Sequence, residues 1–262
     1  MPLFRCGDTD STDCLKRSHY LIMEYLQLPE GSCLLDVGCG IGAFSIHAAS
    51  ALHLNITGIA LTNSEVSFAV ARAESAGQQY RCHFQVHDMN ELSTLGCGRF
   101  NAVVNLESDC YYTTLSHAVK QVTTVLVDGG VWHTLRYSIS KKHINNQRAV
   151  RLARRIASCW RTAEWHTTEC FESAVHADFE TVKNEDLSQS VFAFWSNFMP
   201  LHVENSLMVR ARFAVRALHE SPHAGDFLLV YRHRIAFWLF MIGLSRGWLE
   251  YRYHILRKRL PS

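Results

Sequence analysis

Three glycines spaced by two, Gly38, Gly40 and Gly42, follow Asp36 in the run Leu34-Leu35-Asp36-Val37-Gly38-Cys39-Gly40-Ile41-Gly42-Ala43-Phe44. Glycine lets the main chain take conformations closed to residues with a β-carbon, and it lets backbone N–H groups come up against a ligand. The apolar residues on either side read as a buried strand and the start of a helix, so the run is equipped to hold a nucleotide-type cofactor. A dinucleotide loop keeps its third glycine three residues after the second and wants an acid some twenty positions on, which the even spacing here does not supply. Other residues able to do chemistry stand where successive apolar segments end: Leu61-Thr62-Asn63, Asp88-Met89, Asn105-Leu106-Glu107-Ser108 and Arg136. In an open parallel sheet the ligand lies outside the carboxyl ends of the strands, where strand order reverses, so these residues are expected to converge on one crevice. Taken singly, each could be an ordinary cap or turn residue, and Glu107 could cap a helix starting near Thr113.

Strand and helix patterns alternate from residue 15 to about 138 with short links, the mark of a doubly wound α/β sheet. Helices are expected over Leu15–Leu26, Ala43–Leu52, Thr62 to Ala76-Gly77, and Thr113–Leu126. Strands are expected over Cys33–Gly38, Asn55–Leu61, Arg81–Asp88, Phe100–Glu107 and, after the turn Asp128-Gly129-Gly130, Val131–Tyr137. Beyond 138 the pattern predicts helices at Asn145–Cys159, Thr168–Ala177, Val191–Phe198, Leu207–Glu220 and Asp226–Ser245. Glu180–Leu187 and Leu249–Leu256 read as neighbouring strands, the latter alternating Tyr251, Tyr253 and Ile255 against Glu250, Arg252 and His254. The 262 residues thus read as one domain, with 15–138 a cofactor-binding core, 139–246 cap insertions around strand six, and 247–262 the last strand and tail.

Lys and Arg (26) nearly balance Asp and Glu (24), so no global charge calls for nucleic acid or an anionic membrane. Nine cysteines without a CxxC pair suit a reducing compartment rather than a disulfide framework. Met1-Pro2-Leu3-Phe4-Arg5 shows no leader pattern, so the expected location is cytoplasmic. The longest apolar run, Ile235 to Leu244, is about half of a bilayer crossing, and no stable membrane insertion is expected. Arg148, Arg151 and Arg155 recur at helical spacing beside Arg154, a face that is either solvated or able to grip phosphate oxygens. The histidines show no ligand-type spacing with cysteine, and no metal site is expected in the protein itself.

The Asp-x-Gly-x-Gly-x-Gly pattern resembles motif I of class I S-adenosylmethionine (SAM)-dependent methyltransferases. Gly58-Ile59-Ala60-Leu61-Thr62, where the commonest pattern has an acid for the ribose, resembles the branch holding cyclopropane-fatty-acid synthases, sterol C-methyltransferases and prenyl diphosphate C-methyltransferases. His87-Asp88-Met89-Asn90-Glu91-Leu92, Asn105-Leu106-Glu107-Ser108 and Val127-Asp128-Gly129-Gly130-Val131-Trp132 fit the same branch. Within it the pattern is most similar to geranyl diphosphate C-methyltransferases, whose Asn-x-Glu-Ser turn carries a proposed catalytic base, mapping onto Glu107. Weaker likeness runs through Cys170-Phe171-Glu172, Asn184-Glu185-Asp186-Leu187, Phe194-Trp195 and Gly247-Trp248-Leu249-Glu250-Tyr251. The family's amino-terminal aromatic/Asn segment over the diphosphate has no counterpart in residues 1–15, so diphosphate binding would fall to the basic helix.

The resemblance implies a Rossmann-like α/β fold with a seven-stranded, mostly parallel sheet, helices on both faces and a helical cap from the carboxyl-terminal half. It implies SAM held by Asp36, Gly38, Cys39, Gly40, Leu61, Thr62, Asp88, Met89 and Asn105, with Asp88 and Met89 at the adenine. Methyl transfer to an alkene carbon leaves a carbocation, which aromatic faces stabilise and a carboxylate quenches by taking a proton. Tyr111, Tyr112, Trp195, Trp248 and Tyr251 are the aromatic candidates, Arg148 the candidate for phosphate, and Glu107 the base. Magnesium enters only if the acceptor carries a diphosphate. The expected partner is a small hydrophobic molecule in isoprenoid or other specialised metabolism, and homo-oligomerisation is left open. Nucleic acid is not expected, since the chain has neither an Asn/Asp-Pro-Pro-aromatic motif nor a basic binding domain. Methylation of oxygen or nitrogen in another natural product, and a cyclase or binding protein that keeps SAM without moving its methyl, stand as alternatives.

Overall fold

The structure, a computed structural model, describes residues 11–163, 165–196, 214–215 and 224–260, with 11–18 and 224–229 described by backbone alone. Seven strands, β1 (Cys33–Val37), β2 (Asn55–Ala60), β3 (Cys82–Val86), β4 (Phe100–Leu106), β5 (Leu126–Ile139), β6 (Phe179–Asp186) and β7 (Leu249–Lys258), form one sheet in the order β3-β2-β1-β4-β5-β7-β6. β1 pairs in parallel with β2 and β4, β2 with β3, and β4 with β5. The chain therefore leaves β1 in one direction through β2 and β3, then returns to its other side for β4 and β5, which puts the switch point between β1 and β4. The helices are α1 (Ser11–Leu26), α2 (Ala43–Leu52), α3 (Asn63–Ser75), α4 (Leu115–Val125), α5 (Gln147–Trp160), α6 (Thr168–Val175), α7 (Ser188–Ser196) and α8 (Ala224–Ser245). The expected helix Leu207–Glu220 lies outside the described residues apart from Ala214 and Val215, which are helical.

The chain divides into two compact units. Among the described residues, one holds 11–136, 169–185 and 252–260; the other holds 137–163, 165–168, 186–196, 214–215 and 224–251. The core of the first is built by Leu35, Val37, Val103, Trp132, Phe171, Phe179 and Leu256. Trp132 meets Phe171 edge to face and Phe179 at a tilt, at ring-centroid distances of 5.8 and 5.7 Å. β1 and β4 supply near-continuous apolar runs because strands buried on both faces have no solvent side.

In the second unit α5 buries Ala149, Ala153, Ile156 and Ala157 at helical spacing and exposes Arg148, Arg151, Arg154 and Arg155. The Asn146 side chain starts the helix by accepting from the amides of Arg148 (3.0 Å) and Ala149 (3.4 Å). α8 lies close enough to β7 that a β-carbon at Gly243 would stand 2.4 Å from Leu249 Cδ1. Tyr137 stacks on Trp165 at 5.1 Å and meets the edge of Phe240 at 5.1 Å, giving this unit an aromatic interior.

The structure departs from two sequence expectations. Asp128-Gly129-Gly130 is not a turn before the fifth strand but an irregularity within it, since Phe100 pairs with Leu126 and Ala102 with Val131. Nor does β7 alternate cleanly: His254 is as buried as Tyr253, because Phe171 of α6 covers the face expected to be wet, with ring centroids 4.9 Å apart.

Burial pushes His133 and His254 down to about 3, so both fold as neutral rings. Their unfolded forms take up protons below about 6.5, so stability is lost as pH falls from there toward 3, by about 2 kcal/mol for each at pH 5. Asp36, pushed up to about 6, works in the opposite sense with a smaller gain over that range. Thermal melts are expected to show the melting temperature falling between pH 6.5 and 4.5, with a shallower fall in His254→Leu; equal slopes would contradict this.

Candidate functional site

A cleft of about 360 Å³ opens at the carboxyl ends of β1, β2, β3 and β4. After β1 it is lined by Gly38 and Gly40; after β2 by Ile59, Ala60, Leu61, Thr62 and Glu65; after β3 by His87 and Met89; after β4 by Leu106, Glu107, Ser108 and Tyr111. The amides of Gly38 and Cys39 both donate to the Ile59 carbonyl at 2.9 Å, which clamps the glycine turn to β2. Gly38 has φ +77°, and a β-carbon there would sit 2.5 Å from Ser108 Cβ, so the turns after β1 and β4 touch backbone to side chain. Gly40, at φ +52°, faces open space instead.

Asp36 lies beneath this loop, 2% exposed, its Oδ2 accepting from Ser45 Oγ at 2.6 Å. Burial raises its carboxyl to about 6, against the opposing bond from Ser45. After β2, Thr62 and Glu65 form a variant of the capping box in which the carboxylate takes the cap hydroxyl instead of the cap amide: the Glu65 amide donates to Thr62 Oγ1 (3.2 Å) and the Thr62 hydroxyl donates to Glu65 Oε2 (2.7 Å). The box turns a carboxylate toward the cleft in the part of the fold where a ribose acid was missing from the sequence pattern. After β3, Asp88 caps the short helix Met89–Leu95 by accepting from the Asn90 amide at 2.8 Å, while Met89 lines the cleft.

The turn after β4 is the most constrained. Trp132 Nε1 donates to Asn105 Oδ1 (2.8 Å), Asn105 Nδ2 donates to Ser108 Oγ (3.1 Å), and the Ser108 hydroxyl donates to the Val37 carbonyl. Glu107 sits between these anchors at φ +63°, a left-handed conformation that costs a residue with a β-carbon about 1–2 kcal/mol, and it lines the cleft. Strain of this kind gathers at working sites. Cys39 and Cys110 are poor nucleophiles, since burial, helped by neighbouring carboxylates, pushes both thiols up.

Of the cofactor residues expected from sequence, Gly38, Gly40, Leu61, Thr62 and Met89 line the cleft together with Glu107. Asp36, Cys39, Asp88 and Asn105 do not. Asn105, fully buried, has both ends of its amide committed to protein partners and braces the floor from below. Tyr111 lines the cleft at 43% exposure, whereas Tyr112 is 2% exposed and belongs to the hydrophobic core, where its ring has no open face to offer. The remaining substrate candidates belong to the second unit. Arg148 is exposed on α5, Trp195 stands edge-on to Phe237 at 5.0 Å, Trp248 carries Arg246 4.7 Å over its ring, and Tyr251 is buried against Tyr137 and Phe240. Glu65 and His87 are cleft residues that the sequence reading missed. Thr62-x-x-Glu65, a legible capping box, was the available signal for the first.

The residues fit SAM. An open backbone face at Gly40 admits the amino-acid portion, apolar Ile59, Leu61 and Met89 suit an adenine ring, and Glu65 can accept from ribose hydroxyls. No group of three or more His, Cys, Asp or Glu side chains able to hold a metal is found among the described residues. Nor is any described helix long and apolar enough to cross a membrane.

A family model described as mycolic acid cyclopropane synthetase matches residues 6–198. The chain is 24% identical over 176 residues to a sterol 24-C-methyltransferase of Aspergillus fumigatus, covering 66% of this chain and 46% of that protein. It is 35% identical over 105 residues to the 27-O-demethylrifamycin SV methyltransferase of Amycolatopsis mediterranei, 40% of this chain and 38% of that one. The chain thus spans less than half the length of these two relatives. Among solved structures, geranyl diphosphate C-methyltransferase from Streptomyces coelicolor, in complex with Mg2+, geranyl diphosphate and S-adenosylhomocysteine, aligns with a TM-score of 0.71 at 17% identity. That alignment covers 99% of this chain and 91% of the other, and it speaks for the fold.

Gly40→Val is expected to raise the dissociation constant for S-adenosylhomocysteine at least 100-fold without changing the circular dichroism spectrum. Gly77→Ala, also at positive φ but away from the cleft, should leave that constant unchanged. Calorimetry on both variants checks this, and retained affinity in Gly40→Val would contradict the placement.

Proposed function

The chain belongs to the mycolic acid cyclopropane synthetase family, in the class I SAM-dependent methyltransferases, and on that footing we propose that it methylates a carbon of a small hydrophobic isoprenoid with Glu107 as the base. The observation that carries the reading is Glu107 itself, a carboxylate held in a left-handed backbone at the cleft wall. SAM, when bound, supplies an already activated methyl group. The open backbone at Gly40 and the Glu65 carboxylate would orient the cofactor, and the Ile59, Leu61 and Leu106 side chains would keep water from it. Glu107 would then remove the proton that a carbocation on the acceptor sheds, restoring a neutral alkene. Tyr111, Trp195, Trp248 and Tyr251 are the aromatic residues we propose for the acceptor.

A diphosphate on the acceptor would bring Mg2+ on its own oxygens and would suit the exposed arginines of α5, Arg148 first. The solved geranyl diphosphate C-methyltransferase complex supports this choice of acceptor. Oxygen methylation is the second reading, favoured by the 35% identity over 105 residues with the 27-O-demethylrifamycin SV methyltransferase. Free thiols at Cys33, Cys39, Cys82, Cys97, Cys110, Cys159 and Cys170 support a cytoplasmic setting.

Labelled methyl transfer from SAM to geranyl diphosphate with Mg2+, run beside phenol and amine acceptors, separates the readings. Label in the hydrocarbon product is expected; label only in phenols or amines would overturn carbon methylation. Glu107→Gln should lower turnover about 100- to 10,000-fold while the S-adenosylhomocysteine constant stays within threefold. A fully active Glu107→Gln would remove the base assignment.

A further inference from the structure

Two residues behind the cleft wall meet in a buried ion pair that the reaction itself does not use. Arg136 Nε, at the end of β5, lies 3.0 Å from Asp109 Oδ2, and both side chains are 5% exposed. Asp109 stands two residues after Glu107 and opens the short helix Asp109–Tyr111. The guanidinium carbon lies 3.8 Å over the ring of Phe171, which fixes the plane of the fork. Directly before Arg136, the Leu135 carbonyl accepts from the Glu107 amide at 3.0 Å. Consecutive residues of β5 therefore hold both ends of a three-residue stretch, 107 by its backbone and 109 by its side chain. The Cys110 thiol closes the stretch by donating to the Glu107 carbonyl at 3.3 Å.

Stability alone gives a poor account of this pair. Taking two charges out of water costs several kcal/mol for each ion, and an apolar pair of similar volume is often as stable or more so. The cost is visible here, since Arg136 Nε approaches Asp109 without hydrogen-bond alignment and neither it nor Nη1 finds a hydrogen-bond acceptor among the described residues. What an ion pair supplies that leucine and methionine do not is direction, and direction is what a left-handed glutamate needs. At φ +63° Glu107 relaxes toward ordinary extended or helical backbone unless the flanking chain forbids it. We infer that Arg136 and Asp109 are positioning residues, holding the Glu107 turn in its strained form so that the carboxylate stays at the cleft. For its catalytic consequence the inference rests on the base reading above.

The test is the double variant Asp109→Leu/Arg136→Met, which removes both charges together, with Asp109→Asn, which keeps the side-chain shape, as a second variant should the double fail to fold. In the double variant we expect the melting temperature to stay near that of the wild type, whereas Asp109→Asn, which leaves the Arg136 charge buried without its counter-ion, should lower it; in both, the S-adenosylhomocysteine constant should stay within threefold. Hydrogen exchange of a peptide covering 105–112 should speed up at least tenfold, because the Glu107 amide loses its fixed register on Leu135. With geranyl diphosphate as acceptor, kcat should fall at least 30-fold at unchanged KM for SAM, and Arg136→Lys should recover part of it. Unchanged exchange at 105–112 overturns the inference, whatever Glu107→Gln does. Faster exchange together with a fully active Glu107→Gln keeps the positioning of the turn and sinks the base reading alone.

Discussion

The close approach of two backbone turns governs the site. The turn after β1 and the turn after β4 meet where a β-carbon on Gly38 would stand 2.5 Å from Ser108 Cβ, and no rotamer change relieves that. Glycine at 38 lets β1 and β4 pair through Val37 and Asn105 at their very ends. Their carboxyl tips then share one wall of a cleft rather than splaying apart. From that contact follow the bond from Ser108 to the Val37 carbonyl, the bracing of Asn105 between Ser108 and Trp132, and the left-handed Glu107 that projects from the same turn. A loosened contact would leave the cofactor loop and the carboxylate without a fixed distance between them.

Electrostatics around the cleft follow the same logic of burial. Asp36, raised to about 6, stores a carboxylate below a loop suited to a cationic ligand, and an approaching sulfonium and ammonium would favour its ionised form. Asp109 and Arg136 are each disfavoured by burial and restored by the other. Charge near the cleft is thus held by structure, not by water, which is the condition under which a fixed carboxylate acts strongly on a developing cation.

Much of the sheet unit was legible because its signals are local. Glycine spacing fixed the loop, apolar runs marked β1 and β4, and Thr62 and Gly77 announced the ends of α3. Pairings distant along the chain were not legible. Arg136 and Asp109, twenty-seven positions apart, look like two independent polar residues until β4 and β5 are set side by side. His254 reads as solvent-facing in an alternating strand until α6 lays Phe171 over it. Tyr112 and Asn105 were drawn toward the ligand by their neighbours in sequence, yet a one-residue step along a strand or tight turn reverses which way a side chain points. Glu65 shows the reverse failure, since its capping box was readable but its second role at the cleft was not.

A single binding event puts the cleft to use. Isothermal titration of the wild-type protein with S-adenosylhomocysteine is predicted to give one saturable site per chain, with affinity weakening as pH falls below about 6, where Asp36 takes up its proton. Absence of any binding heat at pH 7.5, with the protein shown to be folded, would contradict it.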